Sequence, residues 1–329
     1  MAFACKALRR LALLICLVPG ATVCAVAQAG PEALSAAQAH ELVDRALANE
    51  LRAVQDTSHP MRYLLRKSSP RLTTTKLIVE TRDGAVARLV SVNDQPLSAA
   101  DEQKEESRLD TLLADPSLQH HRKLSQDSDT GRALKVLRAL PQAFLYRYTG
   151  SADTAAGRVH KFAFVPNPAF NPPDLETEVL TAMSGEIWVD AAHERVARLE
   201  GHLNQDVDFG WGILGRLYKG GWIVIEQADV GSGQWRTVRF QMRMSGRVIF
   251  HTRIFDTTQE ESQFAPVPPG MNYVQAIEML LASPAAAAAG RYSGFDSALY
   301  RKLDAKWRFP QENATLHDLQ MSTCESKPL

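Results

Sequence analysis

Residues 183–244 constrain the fold of this chain most, because their apolar side chains recur at every second position. In residues 195–203, Ala197, Leu199 and Leu203 fall on one side of an extended strand, and charged residues fall on the other. Residues 221–230 form a further strand before a Gly-Ser-Gly turn, and residues 234–244 repeat the alternation after it, with Val238, Phe240, Met242 and Met244 on one face. Period-two alternation with marked turns predicts antiparallel hairpins that are apolar on one face and charged on the other.

Helical patterns lie on both sides of these strands. Ser35 can cap a helix over residues 36–54, whose apolar residues form a single stripe. Residues 98–115 predict a charged helix that Pro116 ends, and a polar run then precedes a shorter helix over residues 132–140, ended by Pro141. Residues 271–282 predict a closing helix.

Further strands are predicted before and after the central hairpins. Residues 61–65 and 72–92 read as strands, with a turn at Arg82-Asp-Gly84, and residues 144–148 and 159–165 read as a hairpin. Near the end, Gly246 is expected to turn the chain into a strand over residues 248–255, before a short last strand at 261–264.

These elements predict one domain over residues 31–283, with a helical insertion at 98–140. After residue 283 the chain is alanine-rich and then irregular, so residues 284–329 are expected to form a weakly ordered tail.

The first 29 residues predict export. Three basic residues precede an apolar run over residues 11–18, and Ala27-Gln-Ala29 is a small-x-small cleavage site, as in a secretory signal peptide. The apolar run is too short for a stable transmembrane anchor. A lipoprotein signal ending at Cys24 is the alternative, but Val23 is bulky where that peptidase prefers a small residue. A periplasmic or secreted location is expected, with cleavage after Ala29.

Cleavage there would leave 300 residues and only one of the four cysteines, Cys324. A single thiol cannot form an intramolecular disulfide, so stability must come from a hydrophobic core, which a chain of this length can build. The remaining 34 basic and 37 acidic residues are nearly balanced. Nothing in this balance suggests a nucleic-acid partner.

The sequence contains no convincing catalytic, metal or cofactor motif. It lacks G-x-S-x-G and a carboxylate pair framed by aromatic residues. His40 and Asp44 share a helix face, but the zinc-protease pattern needs a second histidine, and adjacent His120 and His121 diverge on a helix. Asp206 and Asp208 could form a weak acidic site or be solvated strand-end residues. We therefore expect a protein that is not an enzyme.

The hairpin of Gly185-Glu-Ile-Trp-Val-Asp190 and Arg195-Val-Ala-Arg-Leu-Glu200 resembles the LolA/LolB/RseB superfamily of periplasmic lipoprotein carriers and sensors. Three further segments, 81–90, 170–173 and 208–221, resemble a family of secreted bacterial proteins. The resemblance implies an α+β fold in which a strongly curved antiparallel sheet forms a half-barrel and helices cover its concave face. The carriers' ligand-clamping arginine matches no position here, so the resemblance implies no binding residue.

The predicted function is binding of a lipid, an acyl chain or a lipidated partner in the apolar half-barrel. Methionines adapt to irregular apolar guests, which favours this interpretation. The same residues would form an ordinary core if the helices packed fully onto them, and the protein would then be an interaction or sensor module like RseB. The predicted ligand-binding residues are Leu199, Leu203, Trp211, Phe240, Met242, Met244 and Phe250.

The segment over residues 209–221 admits two interpretations. Its glycines give the backbone freedom, and Trp211 with its apolar neighbours could plug the cavity until a ligand displaces them. Alternatively, the segment is a buried crossover whose glycines allow close packing. Gly210, Gly212 and Gly215 match G-x-G-x-x-G, but bulky apolar residues stand between them, unlike a phosphate-binding loop.

Overall fold

A computed structural model describes residues 34–209, 215–248 and 251–282. These residues form an α+β fold of helices packed on one antiparallel sheet. The strands are β1 (Met61–Ser68), β2 (Thr73–Val79), β3 (Val86–Val92), β4 (Gln95–Pro96), β5 (Phe144–Thr154), β6 (Gly157–Pro166), β7 (Met183–Asp190), β8 (Val196–Leu203), β9 (Val207–Phe209), β10 (Gly215–Leu217), β11 (Trp222–Asp229), β12 (Trp235–Val248) and β13 (His251–Pro266). The helices are α1 (Ala36–Gln55), α2 (Ala99–Ala114), α3 (Pro116–Ala143), the single turn α4 (Leu175–Glu178) and α5 (Tyr273–Ala282), and a 3₁₀ turn covers Val179–Ala182.

The sheet is open. Its strand order is β4-β3-β2-β1-β13-β12-β11-β8-β7-β6-β5, and β9 and β10 attach beside β12. Each pair of neighbours is antiparallel. The order ends at β4 on one side and at β5 on the other, as a half-barrel requires. The predicted fold class is thereby confirmed.

The hairpins predicted from alternation are confirmed, and their register is regular. Ile187 of β7 lies opposite Leu199 of β8, and Ile225 of β11 lies opposite Phe240 of β12. The long first helix is also confirmed, because Ser35 accepts from the Gln38 backbone and Gln38 bonds back to Ser35 in a capping box.

Two hydrophobic cores lie at opposite ends of the strand order. In the first, Val43 and Leu47 of α1 pack against β5 to β8, including Phe162. In the second, Leu109 of α2 and Ile277 of α5 pack against β1 to β3. The strands between these ends, β11 to β13, carry mostly half-buried side chains.

The prediction of a polar run followed by a short helix was wrong, because α3 is one continuous helix. Asp115 caps it and Pro116 occupies the first turn, where no backbone N–H donor is needed. Pro141 lies within the last turn, two residues before the helix ends, so α3 does not stop at this proline as predicted. Tertiary contacts hold the polar run: Gln126 accepts from the Ala85 backbone N–H at 2.9 Å and donates to the Ala85 carbonyl at 3.1 Å.

Side chains of α2 also bond the outer edge of β3. Glu105 accepts from the Leu89 backbone N–H at 2.7 Å, and Arg108 donates to the Ala87 carbonyl at 2.6 Å. An open strand edge is a template for unwanted pairing, and covering it with helices removes that risk. The helical insertion thus satisfies the backbone of the β3 edge.

The expected turn at Gly246 was also wrong. Strand β12 continues to Val248, and the last two predicted strands form one long strand, β13. Gly246 instead lies against β10, where a Cβ atom would stand 2.6 Å from the Arg216 carbonyl oxygen. A glycine is needed there for close backbone approach and not for a turn.

Candidate functional site

Apolar residues of three neighbouring strands line up on one face of the sheet. Leu199, Ile225 and Phe240 form one row across β8, β11 and β12, and Ile223 and Met242 form the next. We call these five residues the apolar strip. Because side chains alternate along a strand, all five point to the same face.

The strip begins at the first core and continues past it. Leu199 and Ile223 are partly buried and pack against the first core. Ile225, Phe240 and Met242 are half-buried and, within the described part of the chain, belong to neither core. The sheet therefore has an apolar surface that begins beside the first core and extends beyond it.

The other predicted ligand-binding residues lie elsewhere. Leu203 is 2% exposed inside the first core. Met244 is buried, with its sulfur over Gly221. Trp211 and Phe250 lie outside the described residues. The structure thus brings Leu199, Phe240 and Met242 together, and the ligand-binding role of the whole set stays a prediction.

Sequence reasoning missed Ile223 and Ile225 as members of the strip. The signal was present, since residues 222–225 lie in a predicted strand between two alternating segments. That segment is apolar at four successive positions, however, so alternation alone could not decide which residues face the strip. The register with Leu199 and Phe240 decides it.

The opposite face of the same strands carries a row of alternating charges. We call this row the ion-pair ladder; it crosses β1, β13, β12, β11 and β8 through Arg66, Glu260, Arg239, Glu226 and Arg198. The guanidinium of Arg66 lies 3.2 Å from Glu260, Arg239 lies 3.5 Å from Glu260 and 3.8 Å from Glu226, and Arg198 pairs with Glu226. Each charge has a neighbour of opposite sign, so this face suits polar surroundings and not an acyl chain.

Beyond Arg198, the ladder continues into Glu200. Its carboxylate accepts from Arg198 at 2.7 Å and lies 3.0 Å from the His202 ring. The hydrogen bond to His202, followed by the bond to Arg198, lowers the pKa of Glu200 to about 2. Glu200 is therefore ionised in all ordinary buffers.

A buried carboxylate fixes α1 beside the apolar strip. Glu50 of α1 accepts from Arg195 at 2.7 and 3.0 Å, from the Val196 backbone N–H at 2.9 Å and from Gln227 at 3.0 Å. Burying a charge requires this kind of pairing, because an unpaired buried carboxylate would be costly. The four bonds join α1 to β8 and β11 at the border of the strip.

The acidic residues considered in the sequence for an acidic site or for a metal site lie beside basic side chains. Asp206 precedes β9 and Asp208 lies within it, and both face Arg216 of β10, at 3.7 and 2.5 Å. His40 lies 3.4 Å from Asp44 on α1. Among the residues that the structure describes, no three His, Cys, Asp or Glu side chains are grouped as metal ligands, and no helix has the length and apolar character to cross a membrane.

The glycine-rich segment is anchored at both ends. Strands β9 and β10 pair with each other, and β10 also pairs with β12. Phe209 and Leu217 pack against the first core. Residues 210–214 lie outside the described residues, so the choice between plug and crossover stays open for the tip.

Neither a protein-family model nor a curated protein sequence matches this chain. A solved structure described as an outer membrane lipoprotein-sorting protein domain from Vibrio parahaemolyticus is similar to it, with 11% identity, 75% of this chain and 99% of that chain covered, and a TM-score of 0.30. A DUF1329 family protein from Desulfovibrio piger has 9% identity, covers 69% of this chain and 92% of its own, and has a TM-score of 0.23. Both TM-scores are low, so the proposals below rest on this chain's own residues.

Proposed function

We propose that this chain is an exported protein that binds the acyl chain of a lipid or of a lipidated partner on its apolar strip, and that it performs no chemistry. The observation that supports this most is the position of Ile225, Phe240 and Met242. They share a face and continue the first core, yet they lie outside both cores as described.

The chemistry of the strip suits an acyl chain. It consists of branched aliphatic, aromatic and thioether side chains, and Met242 can adapt its flexible side chain to an irregular guest. Each methylene group that leaves water for such a surface contributes about 0.8 kcal/mol. About ten buried methylenes would therefore match the roughly 8 kcal/mol of micromolar binding, before the cost of association.

A second candidate function is a docking module with a filled interior. Two of the predicted ligand-binding residues, Leu203 and Met244, are buried, so a ligand cannot contact them as they are packed. If the whole strip were similarly covered, the exposed sheet surface would serve a protein partner. The two functions differ in whether an acyl probe enters.

The substitution Met242→Trp tests acyl binding, since it fills the middle of the strip with a larger side chain. We expect it to abolish uptake of a fluorescent fatty acid and to leave the melting temperature within a few degrees of wild type. Arg243→Trp is the matched control, because the adjacent residue is exposed and points to the opposite face. Arg243→Trp should bind the probe like wild type.

Two results would contradict the proposal. If the wild-type protein takes up no lipid probe, the strip does not bind acyl chains. If Met242→Trp costs several kcal/mol of stability, the space around Met242 is already filled, as overpacking of a closed core predicts, and the docking module is favoured.

Export is tested separately by sequencing the N-terminus of the mature protein. We expect it to begin at Gly30, because Ala27-Gln-Ala29 fits the general signal peptidase. A modified Cys24 at the N-terminus would show a lipoprotein instead.

A further inference from the structure

A cleft of about 430 Å³ opens between the C-terminal half of α1 and the turns of the two central hairpins. Its lining includes Arg52 of α1, Asp56 at the C-cap of that helix, Arg195 directly before β8, and Trp235 and Arg236 at the start of β12. We call it the arginine cleft. It lies on the α1 side of the sheet, where Glu50 fixes Arg195.

One buried donor of the cleft lacks an acceptor. Trp235 is only 8% exposed, and within the described ranges its indole N–H has no hydrogen-bond partner. A buried donor left without an acceptor destabilises the protein. A ligand oxygen that accepts from this N–H would remove that cost.

The charges of the cleft favour an anion. Three guanidinium groups line it against one carboxylate, that of Asp56, which is already engaged by Ser58 and His59. Arg195 is neutralised by Glu50, and Arg236 lies 3.6 Å from Glu80.

Arg52 is the remaining cation. It donates to Asn49 but, in the part of the chain that the structure describes, forms no ion pair. Its guanidinium is exposed at the rim of the cleft, where it can meet an incoming anion.

The cleft and the apolar strip share a face of the sheet because of a β-bulge. The register of β11 and β12 shifts between Glu226 and Gln227, which leaves Val238 as an extra residue in β12. Trp235 and Phe240 are an odd number of positions apart, and without the bulge they would point to opposite faces. Five residues of strand separate them by roughly 16 Å, a distance that one long acyl chain can span.

We propose that the arginine cleft binds the anionic oxygens, carboxylate or phosphate, of the ligand whose acyl chain lies on the apolar strip. This inference rests on the proposed function. Arg52 and the Trp235 indole N–H donate to the anion. The ligand class is therefore a fatty acid or an anionic lipid, and a neutral long-chain lipid binds less tightly.

Calorimetric titration of the mature chain with oleate and with oleyl alcohol tests this, since the two probes share a chain and differ in charge. We expect oleate to bind at least about tenfold more tightly, as a charge-assisted hydrogen-bond set predicts. Arg52→Gln and Trp235→Phe should each reduce oleate affinity severalfold toward that of the alcohol and leave the alcohol unchanged. The unchanged alcohol affinity also shows that the variants are folded.

Matched controls are Arg71→Gln, an exposed arginine away from the cleft, and Trp222→Phe, a half-buried tryptophan at the other end of β11. Both should bind oleate like wild type. Lysophosphatidylglycerol and inorganic phosphate, titrated in parallel, distinguish a fatty-acid carboxylate from a lipid phosphate and from free phosphate.

The outcomes separate the two proposals. If neither oleate nor oleyl alcohol binds, the proposed acyl-binding function is wrong. If both bind wild type with equal affinity, or if the two cleft variants keep the full preference for oleate, the acyl function stands and the anion cleft is wrong.

Discussion

Position 185 of β7 accepts only glycine, because the backbone of β8 lies too close for any side chain. A Cβ atom there would overlap the Glu200 carbonyl oxygen of β8. Gly185→Ala should therefore push two central strands apart and lower the free energy of unfolding by several kcal/mol, as other strained core substitutions do. Chemical denaturation measures this directly.

Gly131 of α3 provides the opposite case. It lies in a helix, and a Cβ atom there would meet nothing within 4 Å. Gly131→Ala should stabilise the protein by about 0.5–1 kcal/mol, because alanine loses less backbone entropy than glycine in a helix. Equal effects of the two substitutions would show that β7 and β8 are not in the close contact described.

Glu261 of β13 should give the protein a characteristic pH dependence. Burial, and then the nearby Glu80 carboxylate, raise its pKa from 4.5 to about 7, and Arg236 opposes them only in part. The folded state therefore holds a proton that the unfolded state releases between pH 4.5 and 7. This contribution to stability is present below about pH 4.5 and is lost as the pH rises through about 7.

We accordingly expect Glu261→Gln, which resembles the protonated acid, to be more stable than wild type at pH 8 by up to about 3 kcal/mol, and to equal it near pH 4.5. Glu41→Gln, at an exposed position of α1, is the control and should follow the wild-type curve. Urea unfolding at both pH values measures the difference. Parallel curves for wild type and Glu261→Gln would refute a raised pKa at this site.

At the same residue scale, the sequence predicts which side chains share a face but not how deeply each is buried. The alternation of Leu199, Phe240 and Met242 is visible in the sequence, and the register confirms it. The burial of Leu203 depends on where α1 and the chain after β8 pack, and no local pattern carries that information. Likewise, the bulge at Val238 brings Trp235 to the face of the apolar strip, and the alternation of apolar residues in the sequence does not predict this bulge.

Among the elements, α1 depends on one buried ion pair for its position. Glu50→Ala should cost about 3–5 kcal/mol, because it leaves Arg195 buried without a partner. The double substitution Glu50→Leu with Arg195→Met should recover most of that loss, since apolar residues of similar size can replace a buried pair. Thermal unfolding of the three proteins gives the comparison.

Glu41→Ala, which removes an exposed partner of Arg45, is the matched control and should cost less than about 1 kcal/mol. A small effect of Glu50→Ala, or no recovery in the double variant, would mean that the apolar contacts of Val43 and Leu47 alone hold the helix.

Elements with strong local signals were predictable, and elements decided by distant contacts were not. The capped helix α1 and the hairpins β7–β8 and β11–β12 follow from periodicity and turn residues. The polar part of α3 is helical because Gln119 and Gln126 bond the β2–β3 turn, a contact between residues far apart in sequence. Strand β13 passes through positions without alternation because β1 and β12 pair with it on both sides.

At the scale of the whole molecule, the open sheet separates two kinds of surface. One face carries the apolar strip beside α1, and the other carries the ion-pair ladder. The α2–α3 insertion seals the β3 edge with side-chain hydrogen bonds. The apolar strip beside α1 is the surface that the proposed function assigns to the acyl chain.

Native mass spectrometry of the exported protein, purified without detergent and followed by lipid extraction, tests the central claim most directly. We predict a population whose mass exceeds that of the polypeptide by one lipid, with an acyl lipid recovered in the extract. The added mass should disappear in Met242→Trp and persist in Arg243→Trp. Wild-type protein found only at the polypeptide mass, with no acyl lipid in the extract, would contradict acyl binding on the apolar strip.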